Sequence, residues 1–276
     1  MNRSLSHQMK IIVAIKQVPE RDARIRIDAS GKWIDLQDVE FAMNESDAYA
    51  LEEALQLKEA QGGEVIVLSA GPERVGRTIR EALAKGADRA IHIESADEGE
   101  LAKFDALGVA RLLAAAIEGE QADLILTGLQ SDDLGLGQTG VILAELLGLP
   151  HATLILKIEK TEQNSKQGIK VLRELEDGWF QHLELPTPAV LTIQSGNSKL
   201  RYATLMGIKR AKTKEVKTIP VSNLMSDPDP VQENPVVQLE RVTLPSKQRT
   251  TQILGGTPAE AAAALVEKLQ FEVRAI

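Results

Sequence analysis

The chain has 276 residues, 43% of them hydrophobic and 26% charged, with 32 Lys and Arg against 40 Asp and Glu and a formal net charge of −8. That composition suits a globular protein long enough for a full core, and the acidic balance disfavours general nucleic-acid binding. The lack of cysteine excludes disulfides, thiolate metal sites and thiol nucleophiles, and with no apolar run near the ~20 residues of a membrane helix the expectation is a cytoplasmic protein without direct membrane insertion.

Lys10-Ile-Ile-Val-Ala-Ile15 is a short continuous apolar run, the mark of a strand buried on both faces. A polar, hairpin-like excursion follows from Ala23 to Gln37. Asn44 suits the N-cap of a helix with Ala48, Leu51, Ala54 and Leu55 on one side. Glu64 to Ser69 repeats the strand pattern. Pro72 suits the first turn of a helix in which Val75, Ile79 and Leu83 recur every four residues, and Gly86 suits its stop. Arg89 to Ile93 reads as another strand. A helix with Ala106, Ala110, Leu113 and Ile117 inward leads to a strand over Ala122 to Thr127, and a further helix runs from about Gln138 to Leu147. Alternating two-sided apolar strands and helices predict an α/β fold, a doubly wound and mostly parallel sheet covered on both faces.

The pattern changes after Pro150. Thr153 to Glu159, Lys170 to Glu176, Trp179 to Leu185 and Ala189 to Ile193 come without helices between them, which predicts an antiparallel extension of the sheet. From about Pro220 the chain turns rich in Pro, Asp and Asn (VSNLMSDPDPVQENP), the composition of a linker or arm. The expected organisation is a nucleotide-binding domain over residues 1–220 and a C-terminal arm over 221–276. The arm ends in a helix with Thr257 as N-cap, Pro258 in the first turn, Glu260 as capping-box acid and Ala261, Leu265 and Leu269 as an apolar stripe. So short a helix cannot form its own core, so it must dock on this chain or on a partner.

Ligands of doubly wound sheets sit at the carboxyl ends of the strands, where strand order reverses. Three strand ends carry suitable chemistry: Ala14-Ile15-Lys16, Ser69-Ala70-Gly71, and GLQSDDLGLGQTG over Gly128 to Gly140. The last contains a literal G-x-G-x-x-G from Gly135 to Gly140, but several loop residues separate it from its strand, unlike a Rossmann fingerprint. It reads better as a long glycine-rich loop whose backbone N–H groups, with the Thr139 hydroxyl, meet a phosphate at the start of the next helix. Asp132 and Asp133 would cap loop amides or accept from a ribose; a plain solvated loop is the alternative. His7, His92, His151 and His182 show no metal-binding spacing, and no nucleophile elbow or P-loop is present. A site that binds but has no chemistry of its own points to a carrier or scaffold rather than an enzyme. Finally, RYATLMGIKRAK over Arg201 to Lys212 has neither strand alternation nor a clean helical stripe. A core element, a nucleic-acid patch and a hook for another protein are the three readings it allows.

Taken in order and spacing, Val13-Ala-Ile-Lys16, Ala50-Leu-Glu-Glu-Ala54, Ser69-Ala-Gly-Pro72, Arg80-Glu-Ala-Leu83, Gly86-Ala-Asp88, Gln138-Thr-Gly140, Arg173-Glu174 and Arg201-Tyr-Ala-Thr-Leu205 resemble the beta subunit of electron transfer flavoprotein, over Met9 to Ile276. The resemblance implies a heterodimer with an alpha subunit whose C-terminal region holds the redox FAD. It also implies a structural AMP in this chain. Electrons would come from acyl-CoA dehydrogenase-type flavoenzymes of fatty acid oxidation and leave to a membrane quinone oxidoreductase. Carried over by position, the AMP site takes Ala14, Asn44, Glu45, Ser46, Asp47 and Ala70. From the loop it takes Gly128, Leu129, Gln130, Ser131, Asp132, Asp133, Leu134, Gly135, Leu136, Gly137, Gln138 and Thr139.

The resemblance also assigns a docking segment. Arg201, Tyr202, Ala203, Thr204, Leu205, Met206, Gly207, Ile208, Lys209 and Arg210 match the loop that engages dehydrogenases, with Leu205 as its apolar anchor. Lys209, Arg210, Lys212 and Lys214 would steer acidic partner surfaces. Burial of Leu205 and Ile208 in the core is the alternative. Glu174 matches an acid that influences how the flavin domain swings, against a simple salt bridge with Arg173 or Lys170. Two departures bear on the cofactor. The loop SDDLGLGQTG replaces a commonly Ala-Ile-Asp-rich version, and Arg21 stands about where many members place a tyrosine near the flavin. The stretch Gln17-Val-Pro-Glu-Arg21 resembles the bifurcating branch, in which a second FAD replaces AMP, whereas Gln138-Thr-Gly140 and Arg201 to Leu205 resemble the single-FAD branch; AMP is the expectation adopted. An ATP-using enzyme or a stress-type ATP-binding module on a related fold is the remaining rival. The first should carry a Ser-Gly-Gly-x-Asp-Ser loop after strand one, and the second would be about half this length.

Overall fold

A computed structural model of the chain describes residues 8–163, 166–196, 198–225, 235–245 and 251–275. Its first half contains β1 (Lys10–Ala14), β2 (Gln17–Pro19), β3 (Phe41–Met43), α1 (Glu45–Gln61), β4 (Glu64–Gly71), α2 (Gly76–Lys85), β5 (Arg89–Glu94), α3 (Glu98–Leu101), α4 (Ala106–Ala116), β6 (Leu124–Gly128) and α5 (Thr139–Leu147). Then come β7 (His151–Gln163), β8 (Lys166–Glu174), β9 (Phe180–Pro186), β10 (Ala189–Ile193), α6 (Leu205–Ala211), β11 (Val216–Pro220) and a last helix over Pro258–Lys268.

Nine strands form one sheet in the order β11-β5-β4-β1-β6-β10-β7-β8-β9. The apolar runs place themselves at its centre because each of their side chains has a hydrophobic layer to enter. Ile11 and Val13 face Leu51, Leu55, Ile79 and Leu83 of α1 and α2, whereas Ile12 and Ala14 belong with Ala110, Leu113 and Leu143 of α4 and α5. Each fully buried Leu or Ile contributes about 1.5–3 kcal/mol, so these two layers hold the sheet.

One expectation needs correction. Ala189–Ile193 is not part of an antiparallel extension. It is β10, a central strand parallel to β6 on one side and to β7 on the other, and all five of its residues are buried. Within the nine-stranded sheet the antiparallel pairs are β8 with β7 and β9 with β8. The apolar run Ala-Val-Leu-Thr-Ile has the character of a strand buried on both faces, which suits a parallel central strand better than an antiparallel extension with one wet face.

The contacts divide into two units, Met1–Ile25 with Asp35–Glu240, and Arg26–Ile34 with Arg241–Ile276. The second contains a bridge between Ile27 and Ile34, a Val242 N–H that donates to the Gly31 carbonyl at 2.9 Å, and the last helix. That helix has the predicted capping box, with Thr257 accepting from the Glu260 N–H and Glu260 accepting from the Thr257 N–H, and none of its residues is buried. The Asp-Pro-Asp-Pro of the expected arm and the first seven residues lie outside the described residues. Among those described, no helix is long and apolar enough to cross a membrane.

Candidate functional site

The order of strands reverses at β1. From it the chain winds outward through β4 and β5, then returns to pair β6 on the other edge of β1. The carboxyl ends of β1 and β6 therefore open a crevice, and α1 begins beside it. Three residues at the start of α1 stitch the crevice to the loop after β6.

Asn44 stands at the N-cap position of α1, but its side chain makes no cap bond. It turns to the loop instead. Its amide donates to the Gln130 carbonyl at 2.9 Å and to Ser46 Oγ at 3.0 Å, and its Oδ1 accepts from the Asp132 N–H at 2.8 Å. Ser46 Oγ donates to the same Gln130 carbonyl at 2.8 Å. Asp47 bridges the two strand ends, accepting from the Lys16 N–H at 2.7 Å and the Gly128 N–H at 2.9 Å. Burial pushes its carboxyl up to about 7, although both amides pull the other way. Glu45 contributes its backbone N–H to Asp132 at 3.2 Å, while its carboxylate pairs with Arg21.

The loop itself is held from below. Lys16 Nζ donates to Asp133 Oδ1 at 2.7 Å and reaches Ser131 Oγ at 3.4 Å. Burial raises the Asp133 carboxyl, but the Lys16 ammonium, together with hydrogen bonds from Ser131 and the Leu134 amide, leaves the group below its ordinary value. Asp133 also accepts from the Leu134 N–H, so both aspartates cap amides. Gly135 and Gly137 adopt φ of +63°, the left-handed region that glycine enters without strain, and Leu134 and Leu136 between and beside them point outward. Gly128 meets a second demand: a Cβ there would lie 2.2 Å from Asp47 Oδ1 and 2.3 Å from Ser46 Oγ. Only a bare backbone lets α1 approach the end of β6.

Beyond the loop, α5 starts at Thr139, and the side chain of its N-cap residue Gln138 makes no capping bond. The first-turn amides of a helix lack intrahelical partners and attract anions. Gly140 packs so closely that a Cβ would meet Thr127 Oγ1 at 2.6 Å. An uncapped helix start under a glycine-rich loop, with Ala14 ending β1 and Ala70 near the end of β4, fits a nucleotide phosphate in its chemistry. His92 takes no part in such chemistry, since its ring bonds the Gly71 carbonyl at 2.9 Å inside the sheet.

Arg201 to Lys212 is the second candidate surface. Its sequence shows no clean helical stripe, yet Leu205 to Ala211 form α6, with Thr204 Oγ1 accepting from the Gly207 N–H at 3.0 Å as its N-cap. Seven residues are too few to display a stripe. Leu205 is 87% exposed, Tyr202 90%, and Met206 and Ile208 are exposed too, which overturns burial of Leu205 and Ile208 in the core. Lys209 and Arg210 occupy the last turn of α6 and Lys212 its C-cap. Arg201 turns inward, to Glu52 and Glu59 of α1.

Glu174 pairs with neither Arg173 nor Lys170. Its carboxylate accepts from Gln194 Nε2 at 3.3 Å, and Arg173 donates to Thr153 Oγ1. With Leu156, Leu172, Phe180, His182, Ser195 and Gly196 it lines an open groove of about 600 Å3. Among the described residues, no group of three His, Asp or Glu side chains could hold a metal ion.

Sequence reasoning missed two features: the Lys16–Asp133 tie, although Lys16 ends the first strand run, and the acids that receive Arg201. The second had a signal. Glu52 and Glu53 sit among Leu51, Ala54 and Leu55 on the buried side of α1, and buried carboxylates call for a partner.

Residues 32–224 match the family model described as the electron transfer flavoprotein domain. The electron transfer flavoprotein subunit beta of Methylophilus methylotrophus is 38% identical over 263 residues, 94% of this chain and 97% of that protein. The mitochondrial subunit beta of Arabidopsis thaliana is 34% identical over 97% of this chain and all of its own length. The subunit beta of Homo sapiens is 38% identical over 80% of this chain and 84% of its own.

Proposed function

This chain belongs to the electron transfer flavoprotein beta-subunit family, and from that premise we propose that it is the beta subunit of a heterodimeric electron carrier with no catalytic constellation of its own. It pairs with an alpha subunit that holds the redox FAD and helps shape that flavin site. In its own crevice it holds AMP, with the loop from Gly128 to Thr139 over the nucleotide and the start of α5 toward the phosphate. Asn44, Ser46 and Asp47 keep the loop in place from α1, and Lys16 and Asp133 hold its far side. The bound FAD supplies reversible electron uptake; this chain supplies docking and position. Acyl-CoA dehydrogenase-type flavoenzymes deliver the electrons, and a quinone oxidoreductase receives them. The site of action is the cytoplasm.

The observation that carries this reading is the apolar face of α6. A leucine 87% exposed, beside exposed Tyr202, Met206 and Ile208, is ready to enter a partner's pocket, with Lys209 and Arg210 to steer acidic surfaces. Small interfaces lean on a few such anchors, and a weak contact suits a carrier that must leave quickly. Burial of one leucine is worth about 2 kcal/mol, or roughly thirtyfold in affinity. Leu205→Ala is therefore expected to raise the dehydrogenase concentration needed for half-maximal flavin reduction by tenfold or more. Flavin and nucleotide content stay unchanged. Equal half-saturation for variant and parent would remove α6 from the docking role.

A further inference from the structure

We propose that Arg201 is a positioning residue: through Glu52 and Glu59 of α1 it fixes the orientation in which α6 presents Leu205 to a partner. The inference rests on the docking reading of α6 and departs from it in one respect. Arg201 serves the docking surface without being part of it.

The guanidinium is already engaged. Its Nε donates to Glu52 Oε2 at 2.8 Å and its Nη2 to Glu52 Oε1 at 3.0 Å. Its Nη1 donates to Glu59 Oε1 at 2.5 Å and its Nη2 to Glu59 Oε2 at 3.1 Å. Those four bonds occupy four of the five N–H groups that an arginine offers, so almost nothing is left for a partner's carboxylate. Glu52 is only 4% exposed. A carboxylate that deep requires its counter-charge, and a planar fork meets two carboxylates in a way lysine cannot.

The clamp lies just before Thr204, the N-cap of α6. The rest of α6 is fixed from α2. Arg80 Nη1 donates to the Ala211 carbonyl at 2.6 Å and the Lys214 carbonyl at 3.0 Å, and Lys214 Nζ donates to the Leu83 carbonyl at 2.9 Å. Gly207 backs onto the same turn so tightly that a Cβ would stand 2.2 Å from the Ala84 carbonyl oxygen. A seven-residue helix is not stable by itself, and Ala211 at its end is its one buried residue. A single small side chain cannot set the orientation of the whole helix, so these polar ties do. They also explain how Leu205 stays exposed instead of collapsing onto the core: the chain is held at both ends with its apolar face outward. The arm of the clamp is α1, whose first turn holds the loop of the nucleotide crevice.

The test uses the complex with its flavin-bearing partner subunit, reduced by an acyl-CoA dehydrogenase, and follows hydrogen exchange of α6 in parallel. Arg201→Lys and Glu52→Gln are expected to raise half-saturation roughly tenfold while the maximal rate stays within about twofold. Both should speed exchange of the Ile208 to Ala211 amides by about tenfold. Glu59→Gln, at the exposed end of the clamp, leaves the buried pair intact and should give a milder form of both effects, so it serves if the other two variants do not fold. Leu205→Ala should raise half-saturation without altering exchange. Higher half-saturation in Arg201→Lys with unchanged exchange would make Arg201 a direct contact and overturn the proposal, as would unchanged half-saturation. If Leu205→Ala is without effect, the docking reading fails, and the exchange data still report whether the clamp holds α6.

Discussion

Asp47 carries two jobs on one carboxylate: it joins the ends of β1 and β6, and it stands next to Ser46 at the start of α1. Burial pushes it up to about 7 in the folded chain, whereas its ordinary value is 3.8. Between those values the folded protein keeps a proton that the unfolded chain has lost. Its contribution to stability is therefore complete below 3.8 and is lost as the pH climbs toward about 7. Asparagine at this position cannot titrate. Relative to Asp47→Asn, the parent protein is expected to lose up to about 2 kcal/mol of stability from pH 5 to pH 8. Urea unfolding of both proteins across that range would measure it. A difference that does not change with pH would mean that the amide donors, not burial, govern the group. The sequence singles out Asn44, Ser46, Asp47 and the loop after β6 as candidates, but not the bonds that join them. Asn44 looks like a helix cap by its place before α1, and only the fold brings Gln130 within its reach.

Elements differ in how much of themselves they show in one dimension. The central parallel strands β1, β4, β5, β6 and β10 announce themselves as continuous apolar runs because both faces meet helices, whereas the edge strand β11 does not; α2 shows itself by a four-residue recurrence of buried side chains. Strand order is another matter. The placement of β10 between β6 and β7 depends on pairings with strands on either side, and local composition carries no register for them. The helix α6 is hidden for a different reason: Arg201, Arg80 and Lys214, which tie it down, bond partners more than a hundred residues away in the chain. Packing between elements also sets the strictest glycine. At Gly128 the start of α1 meets the end of β6, and a methyl group there has fixed, hydrogen-bonded atoms within 2.3 Å. Gly128→Ala should push α1 away, cost about 1–3 kcal/mol of stability and release nucleotide on gel filtration. Parent-like stability and nucleotide retention would contradict this account of the crevice.

At the scale of the molecule, two features ask for a partner. One is α6. The other is the second unit, where Ile253, Phe271 and Val273 are largely exposed and the last helix buries none of its residues. Leu265 and Val266 on a helix capped at its start, with these three side chains before and after it, read as half of an interface, and we propose that the alpha subunit covers it. The central claim is a beta subunit with AMP in the crevice between β1 and β6. Its most direct test is the cofactor content of the complex purified with its alpha subunit, by denaturing it and quantifying the released nucleotides by chromatography and mass. The account predicts one FAD and one AMP per heterodimer. Two FAD with no AMP, or ATP with no FAD, would contradict it.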